Sequence, residues 1–472
     1  MKGVSLVSLV AALCVAPALV ARAQADDARG EFVAAVEKIE RREQLTEEAD
    51  SAALRTYALY DYLVADRIVA RLGDPAMREA AMRDARAFFD RFDGTPVGFV
   101  ARRDAMAALS RADAWRELVD VYLPEAANLA RECEYLRARV ILGETADLVP
   151  LVERRWLTAE RLPSACESAF QWLRETGGLD TELTERRVVL LLEQAQTDFA
   201  RIVMRRLDAT RVRQYQAWAD MLDAPLETLE ALAAGTSTAT TSQAVEATWE
   251  RATIRFPLDS FELFPELRRR LDMDAAQTSR FARSLALGLA WDRREEALRA
   301  FARVTREDLD DYALEWLARA AVWNGEWRIA ADAVAGMSQE MRARSAWKYW
   351  DARSAAALGE TLRARTTYAA LSADDNFYAA LAAARLGQPV SPHAVPVALN
   401  DDEIAALAEM PALVRARELL TLGKRADATR EWRFGIASLA PRALAQAVAL
   451  ADRWGWHDMA VATATQAGIF NE

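Results

Sequence analysis

Ala346-Trp347-Lys348-Tyr349-Trp350 opens a stretch that runs as a helical segment to Gly359, resumes to Leu371, and passes through Phe377-Tyr378 to Leu386-Gly387. Gly359 is followed by Ala364 five residues on and by Tyr368 nine residues on. The same offsets recur elsewhere. Gly325 precedes Ala330 and Val334, Gly423 precedes Ala428 and Trp432, and Gly455 precedes Ala460 and Ala464. Asp292 fills the turn slot once more, ahead of Ala297 and Phe301. The slots at 292, 325, 359, 423 and 455 are spaced by 33, 34, 64 and 32 residues, the 64 being close to a double step. A period of about 34 residues is one helix–turn–helix unit of an α-solenoid. A glycine ends the first helix because it takes the left-handed conformation without a Cβ clash. The alanine lets the second helix approach closely, and the larger residue one turn later fills the seam on the same face.

Composition agrees with this reading. The chain has 472 residues, too many for one compact core, so several domains or a repeat array are expected. Only 18 glycines and 14 prolines interrupt it, and alanine, leucine, arginine and glutamate abound, which favours helix throughout. No sustained two-residue alternation suggests a sheet. The expected fold is therefore all-α, a superhelical solenoid of helical hairpins with a small helical domain after it.

Residues 1–25 read as a cleavable secretory signal: Lys2, an apolar run from Val4 to Leu19, then Ala21-Arg22-Ala23 and Ala23-Gln24-Ala25. Pro17 and the short length argue against a permanent span. Leu13 before Cys14 argues against a lipoprotein signal, and no stable membrane insertion is expected of the rest. Without the leader the net charge moves from −11 to −13. So acidic a chain is a poor general partner for nucleic acid. Arg268-Arg269-Arg270 reads as a solvated helix face. Cys133 and Cys166 remain, 33 residues apart, about one repeat. In an oxidising compartment such a pair is expected to form a disulfide, and the alternative is two separate buried thiols. The only histidines, His393 and His457, lie far from both cysteines in sequence, so metal ligation has no support, and no cofactor is implied.

The expected divisions are the signal at 1–25, the solenoid at 26–388, a linker at 389–398, and a helical domain at 399–472. Pro389, Pro392 and Pro396 will not continue a helix. Asn400, with Glu403 three residues on, reads as a capping box. Ala234 to Ser242 reads as an exposed loop. The carboxylate clusters at Asp308/Asp310/Asp311, Asp374/Asp375 and Asp401/Asp402/Glu403 sit where helices should begin, so capping and solvation explain them better than paired-carboxylate chemistry. The tryptophans could stack on sugar rings if exposed, but at seam positions they read as core.

Several motifs fall in a particular order. Tyr57 to Ile68 is a tyrosine-rich helix. Leu162-Pro163-Ser164-Ala165-Cys166 precedes Phe170 and Trp172. Glu315-Trp316, Arg319-Ala320 and Gly325-Glu326-Trp327 follow. Then come Trp347-Lys348-Tyr349-Trp350, Phe377-Tyr378 and Leu381-Ala382-Ala383. Arg415-Ala416, Glu418-Leu419 and Glu431-Trp432 close the series. Over most of its length the chain resembles the soluble lytic murein transglycosylases of the Gram-negative periplasm. Trp316, Trp327, Trp347, Tyr349, Trp350, Phe377 and Tyr378 carry the resemblance most specifically, as structural residues.

The resemblance implies a ring of helices carrying a lysozyme-like domain that cleaves the MurNAc–GlcNAc bond of peptidoglycan, with one glutamate as acid and then base, forming a 1,6-anhydro sugar. It implies a periplasmic location and glycan strands as partners. The family's catalytic glutamate lies in a Glu-Ser pair followed by a Gly-Leu-Met-Gln run. The one similar pair here, Glu167-Ser168, lies inside the Leu-Pro…Cys element with no such run after it, so no catalytic residue is assigned. The expected role is the non-catalytic superhelical region, which binds and positions glycan for a catalytic domain missing from this chain. The alternative is a stand-alone helical scaffold for proteins of the cell-wall machinery. A complete enzyme with an unrecognised site is a third reading.

Overall fold

The computed structural model describes residues 26–237, 241–390 and 398–468, and among these every regular element is a helix. The expected signal, most of the proline-rich linker with His393, and part of the 234–242 loop lie outside the described residues. No described helix is long and apolar enough to cross a membrane.

Towards both ends the helices pair with a sequence neighbour and the pairs stack, while between 225 and 291 Pro225–Ala233 packs mainly on Pro257–Arg270 and Ser242–Arg255 on Ala275–Trp291. A helix over 26–40 and the short Ala52–Arg55 begin the stack. Tyr60–Leu72 pairs with Arg78–Arg91, and Pro96–Arg111 with Trp115–Val121. Towards the other end, Ala275–Trp291 pairs with Glu296–Phe301, Asp311–Trp323 with Trp327–Gly336, and Ser345–Ala357 with Thr361–Leu371, before Phe377–Leu386. After the linker come Asp401–Ala408, the pair Pro411–Thr421 and Arg425–Ile436, and the pair Pro441–Arg453 and His457–Ala467.

The hinges have one chemistry. At Gly359 the backbone is left-handed, with φ +85°. There the Glu360 N–H donates to the Ala355 carbonyl at 2.8 Å and the Gly359 N–H to the Ala356 carbonyl at 3.2 Å. This doubly bonded turn satisfies carbonyls that the helix end leaves free. Gly325, Gly423 and Gly455 repeat it, and Ala330, Ala364 and Ala428 are buried at the expected offset. One hinge lies a residue later than the repeat spacing predicts. The left-handed position after Ala275–Trp291 is Arg293, at φ +56°, and not Asp292. Asp113, Ala195 and Asp272 do the same in the part of the chain whose spacing looks irregular. At each the following N–H bonds back into the helix, from Ala114 to Leu109 at 2.9 Å, Gln196 to Leu191 at 2.8 Å and Met273 to Arg268 at 3.1 Å. Those bonds, with the packing they set up, outweigh a left-handed cost of about 1–2 kcal/mol for a residue with a Cβ.

Two capping expectations change. Asn400 does cap its helix, accepting from the Asp402 and Glu403 N–H groups. The reciprocal half of a capping box is replaced, because the Asn400 N–H donates to Gln446 at 2.9 Å while Glu403 turns to Arg442 at 2.6 Å. At Asp374/Asp375 the cap is the next residue, Asn376, which accepts from Tyr378 and Ala379. Asp310 caps Asp311–Trp323 as expected, accepting from Ala313 at 2.8 Å.

Cys133 and Cys166 are both buried and adjacent, their Cα atoms 4.6 Å apart, within the span of a disulfide.

The chain closes on itself. One apolar core runs from Cys133 to Ala320, while a second joins helices near the start, from Ala28 to Ala138, to those between Ile404 and Ala460. Pro96–Arg111 packs on Arg425–Ile436, and the Arg430 guanidinium lies 4.1 Å from the Phe99 ring centre. Polar bonds fasten the same join. Arg29 and Tyr57 both donate to Glu418, at 2.8 and 2.6 Å. Tyr62 donates to Glu431 at 2.8 Å, and Arg415 grips the same carboxylate at 2.8 and 3.0 Å.

Candidate functional site

Trp291, Trp316, Trp323, Trp347 and Trp350 all sit on the first helices of successive pairs, so stacking the pairs brings several of these rings near one another. Trp316 and Trp323 are seven residues apart on Asp311–Trp323, two turns along one face. Their ring centres are 6.3 Å apart, and Trp291 at the end of the preceding first helix lies 6.3 Å from Trp316. Trp347 and Trp350 occupy Ser345–Ala357, and Tyr378 begins Phe377–Leu386. Tyr349 links them from below, 5.4 Å from Trp350 and 5.8 Å from Tyr378, and Phe377 adds a ring 5.3 Å beyond.

This band is partly core and partly surface. Trp347 and Tyr349 are buried, but Trp291 is 39% exposed, Trp323 45% and Phe377 68%. Between the buried and exposed rings lies a pocket of about 410 Å³, walled by Trp323, Trp347, Trp350 and Tyr378. Glu315, Arg319 and Arg344 supply its polar edge. Arg319 is held by Glu315 and lies 4.9 Å over the Trp316 ring. Arg293 covers Trp323 at 5.2 Å. Aromatic faces beside fixed hydrogen-bonding groups can stack on a sugar ring and orient its substituents.

Not every signature residue joins this site. Trp316, Trp347, Tyr349, Trp350, Phe377 and Tyr378 belong to the band. Trp327 lies outside the pocket wall, at the start of Trp327–Gly336, with the Arg353 guanidinium 5.3 Å from its ring. Trp291, Trp323 and Arg344 escaped the sequence reading. A tryptophan two turns after Trp316 was the available signal for Trp323. Glu167 is exposed at the start of Glu167–Glu175 and faces Arg174 at 3.5 Å and Arg206 at 3.7 Å, an ordinary setting for a first-turn carboxylate.

A second concave region lies at the join. About 460 Å³ of open groove is bordered by Tyr62, Asp66, Arg103, Asp104, Lys424 and Asp427, among others. Burial pushes the Asp66 carboxyl up to about 6; Asp104 and Asp427 add to the rise while Lys424 and Arg103 oppose it. Nearby, burial would also raise Glu418, but the hydrogen bonds from Arg29 and Tyr57 outweigh it and hold Glu418 below the usual range.

Comparison with known proteins gives the context. Residues 406–472 match the family model described as the soluble lytic murein transglycosylase L domain. The soluble lytic murein transglycosylase of Salmonella typhimurium is 23% identical over 432 residues, covering 88% of this chain and 63% of that protein. The Escherichia coli K12 protein of the same name is 23% identical over 459 residues, covering 95% of this chain and 69% of its own length. The chain thus spans under two thirds of the Salmonella relative. Among solved structures, the lytic transglycosylase Slt of Pseudomonas aeruginosa, as an inactive mutant, aligns with TM-score 0.73 at 23% identity, covering 89% of this chain and 68% of that one. The 70-kDa soluble lytic transglycosylase of Escherichia coli aligns with TM-score 0.75 at 19% identity, covering 94% and 71%. At these identities the structures establish a shared superhelical fold.

Proposed function

We propose that this chain, as a relative of the soluble lytic murein transglycosylases, binds and positions peptidoglycan glycan strands for cleavage of the MurNAc–GlcNAc bond, and that the cleaving residues are not part of its superhelix. The observation that carries this reading is the aromatic band from Trp291 to Phe377, which is open to solvent at Trp291, Trp323 and Phe377. Burial of apolar rings stabilises a fold, so rings left open to solvent are available for ligands. The likeness to transglycosylases along the superhelix and the L-domain match support a peptidoglycan substrate. A periplasmic setting belongs to the same proposal and accords with the signal-like residues 1–25.

A second reading, a scaffold for proteins of the cell-wall machinery, has one observation in its favour. Phe89, Phe92, Phe99 and Phe434 wall a largely apolar pocket of about 390 Å³ at the join. Sedimentation with purified sacculi, run beside an assay of released muropeptides, separates the possibilities. Pelleting without release supports positioning without cleavage. Release of anhydro-muropeptides overturns the claim that the superhelix lacks the cleaving residues. Failure to pellet sinks the glycan reading and leaves the scaffold.

A further inference from the structure

Among the described residues two arginines are buried, Arg67 and Arg187, and they differ in one respect. Arg67 is held by both oxygens of Asp50, at 2.6 and 2.7 Å. Arg187, 3% exposed on Thr181–Glu193, has no hydrogen bond and no ion pair among the described residues. It lies against rings instead. Its guanidinium carbon is 4.1 Å from the centre of Trp156, 5.1 Å from Phe199 and 5.9 Å from Phe170. Its Nε is enclosed without a partner, while the terminal Nη edge keeps a narrow access to solvent. Aromatic faces return only part of the cost of taking a charge out of water, so a buried charge is normally paired. The neighbours deepen the imbalance. Arg206 lies 5.3 Å from the same Trp156 ring, and Arg174 on Glu167–Glu175 acts on Arg206 in turn. Burial, with Arg206 adding to it, pulls the Arg187 guanidinium down to about 10, and Glu167 is the carboxylate that opposes this. Glu167 is mostly exposed and reaches Arg174 at 3.5 Å and Arg206 at 3.7 Å, but forms no ion pair with Arg187. Loose, solvated pairs of this kind contribute almost nothing.

We infer that Arg187, Arg206 and Arg174 form a binding site for a phosphate group, with Arg187 donating from within, against Trp156, and Arg206 and Arg174 donating from the surface. A guanidinium edge meets an oxyanion in bidentate fashion, and such charged hydrogen bonds are roughly twice as strong as neutral ones. Three guanidiniums against the single Glu167 carboxylate leave a charge that suits a doubly ionised phosphate better than a carboxylate. The floor of the site is fixed in advance. The Trp156 Nε1 donates to the Leu183 carbonyl at 3.3 Å, and Phe170 meets the Trp156 ring edge-on at 5.0 Å. Glu167 competes with phosphate for Arg174 and Arg206, which gives this first-turn carboxylate a part that the glycan reading leaves it without. The site shares no residue with the aromatic band between Trp291 and Phe377 and does not depend on it.

The test titrates the whole chain with inorganic phosphate and with chloride at matched ionic strength, read by calorimetry and by thermal melting. Phosphate is expected to bind at least about tenfold tighter than chloride, the size of one well-placed charged hydrogen bond. It should also raise the melting temperature progressively with concentration. Arg206→Gln, at an exposed position, weakens phosphate about tenfold or more. Glu167→Gln tightens it several-fold by removing the competitor. Arg268→Gln, in an exposed arginine run elsewhere, leaves it unchanged. Arg187→Met keeps an apolar side chain against the rings, so it melts no lower than the parent and yet loses the response to phosphate. Vesicles of phosphatidic acid and of phosphatidylcholine separate the sources. Sedimentation with phosphatidic acid alone, lost in Arg206→Gln, assigns the group to a lipid headgroup, whereas phosphate binding without vesicle binding assigns it to a soluble phosphate. Phosphate no better than chloride, or a preference untouched by both Arg206→Gln and Arg187→Met, overturns the site.

Discussion

The Tyr62 hydroxyl donates to the Glu431 carboxylate at 2.8 Å, a bond that joins two residues 369 positions apart and closes the superhelix. Glu431 is fully buried, and Arg415 holds its two oxygens in bidentate fashion. Removing one member of a buried charged pair leaves the other without compensation. Glu431→Gln is therefore expected to cost about 3–5 kcal/mol. Tyr62→Phe deletes one hydrogen bond to a charged group and should cost about 1.5–3 kcal/mol. Urea unfolding gives the order, and small-angle scattering should show a larger radius for Glu431→Gln. A smaller cost for Glu431→Gln than for Tyr62→Phe would contradict this account of the join.

Asp66 makes the same join sensitive to pH. Its folded carboxyl titrates at about 6, against an ordinary value of 3.8. The raised value means that the folded state prefers the protonated form. This group therefore destabilises the protein above pH 6, and the penalty fades as the pH falls towards 4. Asp66→Asn should raise the melting temperature at pH 7.5, with a gain that shrinks towards zero near pH 4. Glu418 and Asp50 are held down by Arg29 and Arg67 against the effect of burial, but they are present in both proteins and cancel in the difference. A gain of equal size at both pH values would show that the carboxyl is not the cause.

Cys133 and Cys166 are placed to form a bridge that ties Leu129–Leu142 to Glu167–Glu175. Closing a loop of 33 residues stabilises by about 3–4 kcal/mol in the chain-entropy account. Exported protein should gain two mass units on reduction, and Cys133→Ala with Cys166→Ala should unfold at lower denaturant. Two free thiols in exported material would refute the bridge.

The hinges can be tested in both directions. Nothing lies within 4 Å of a Cβ built at Gly359, so Gly359→Ala should cost only the left-handed penalty of about 1–2 kcal/mol. Ala195 adopts the same conformation with a Cβ, at φ +51°, and Ala195→Gly should stabilise by up to about 1 kcal/mol, part of the relief being lost to unfolded-chain entropy. Calorimetry on the pair decides it. A destabilised Ala195→Gly would mean that the left-handed turn there carries no strain.

The repeat was legible because Gly325 and Gly359 announce a backbone state that few other residues accept. It was illegible at Asp113, Ala195, Asp272 and Arg293, where hydrogen bonds and packing force the same state on residues that do not announce it. Closure left no local signal, since Tyr62 and Glu431 meet only after every hinge between them has added its rotation. The pocket was half legible. The Trp347–Trp350 cluster marked its place, but exposure is a property of neighbouring pairs, so Trp323 on the surface and Trp347 in the core look alike in sequence. Asn400 showed its cap, while the Gln446 that completes it lies 46 residues away.

A linear stack of helical pairs has two terminal faces, each lacking a neighbour, and it frays from them. In this protein the helices near the start are covered by Arg425–Ile436 and its neighbours, so the face that would fray first is shielded. Unzipping then does not begin cheaply at that face. Amide protons in Tyr60–Leu72 should exchange with solvent as slowly as those in the middle of the stack, until the Glu431 clasp is cut and they speed up together.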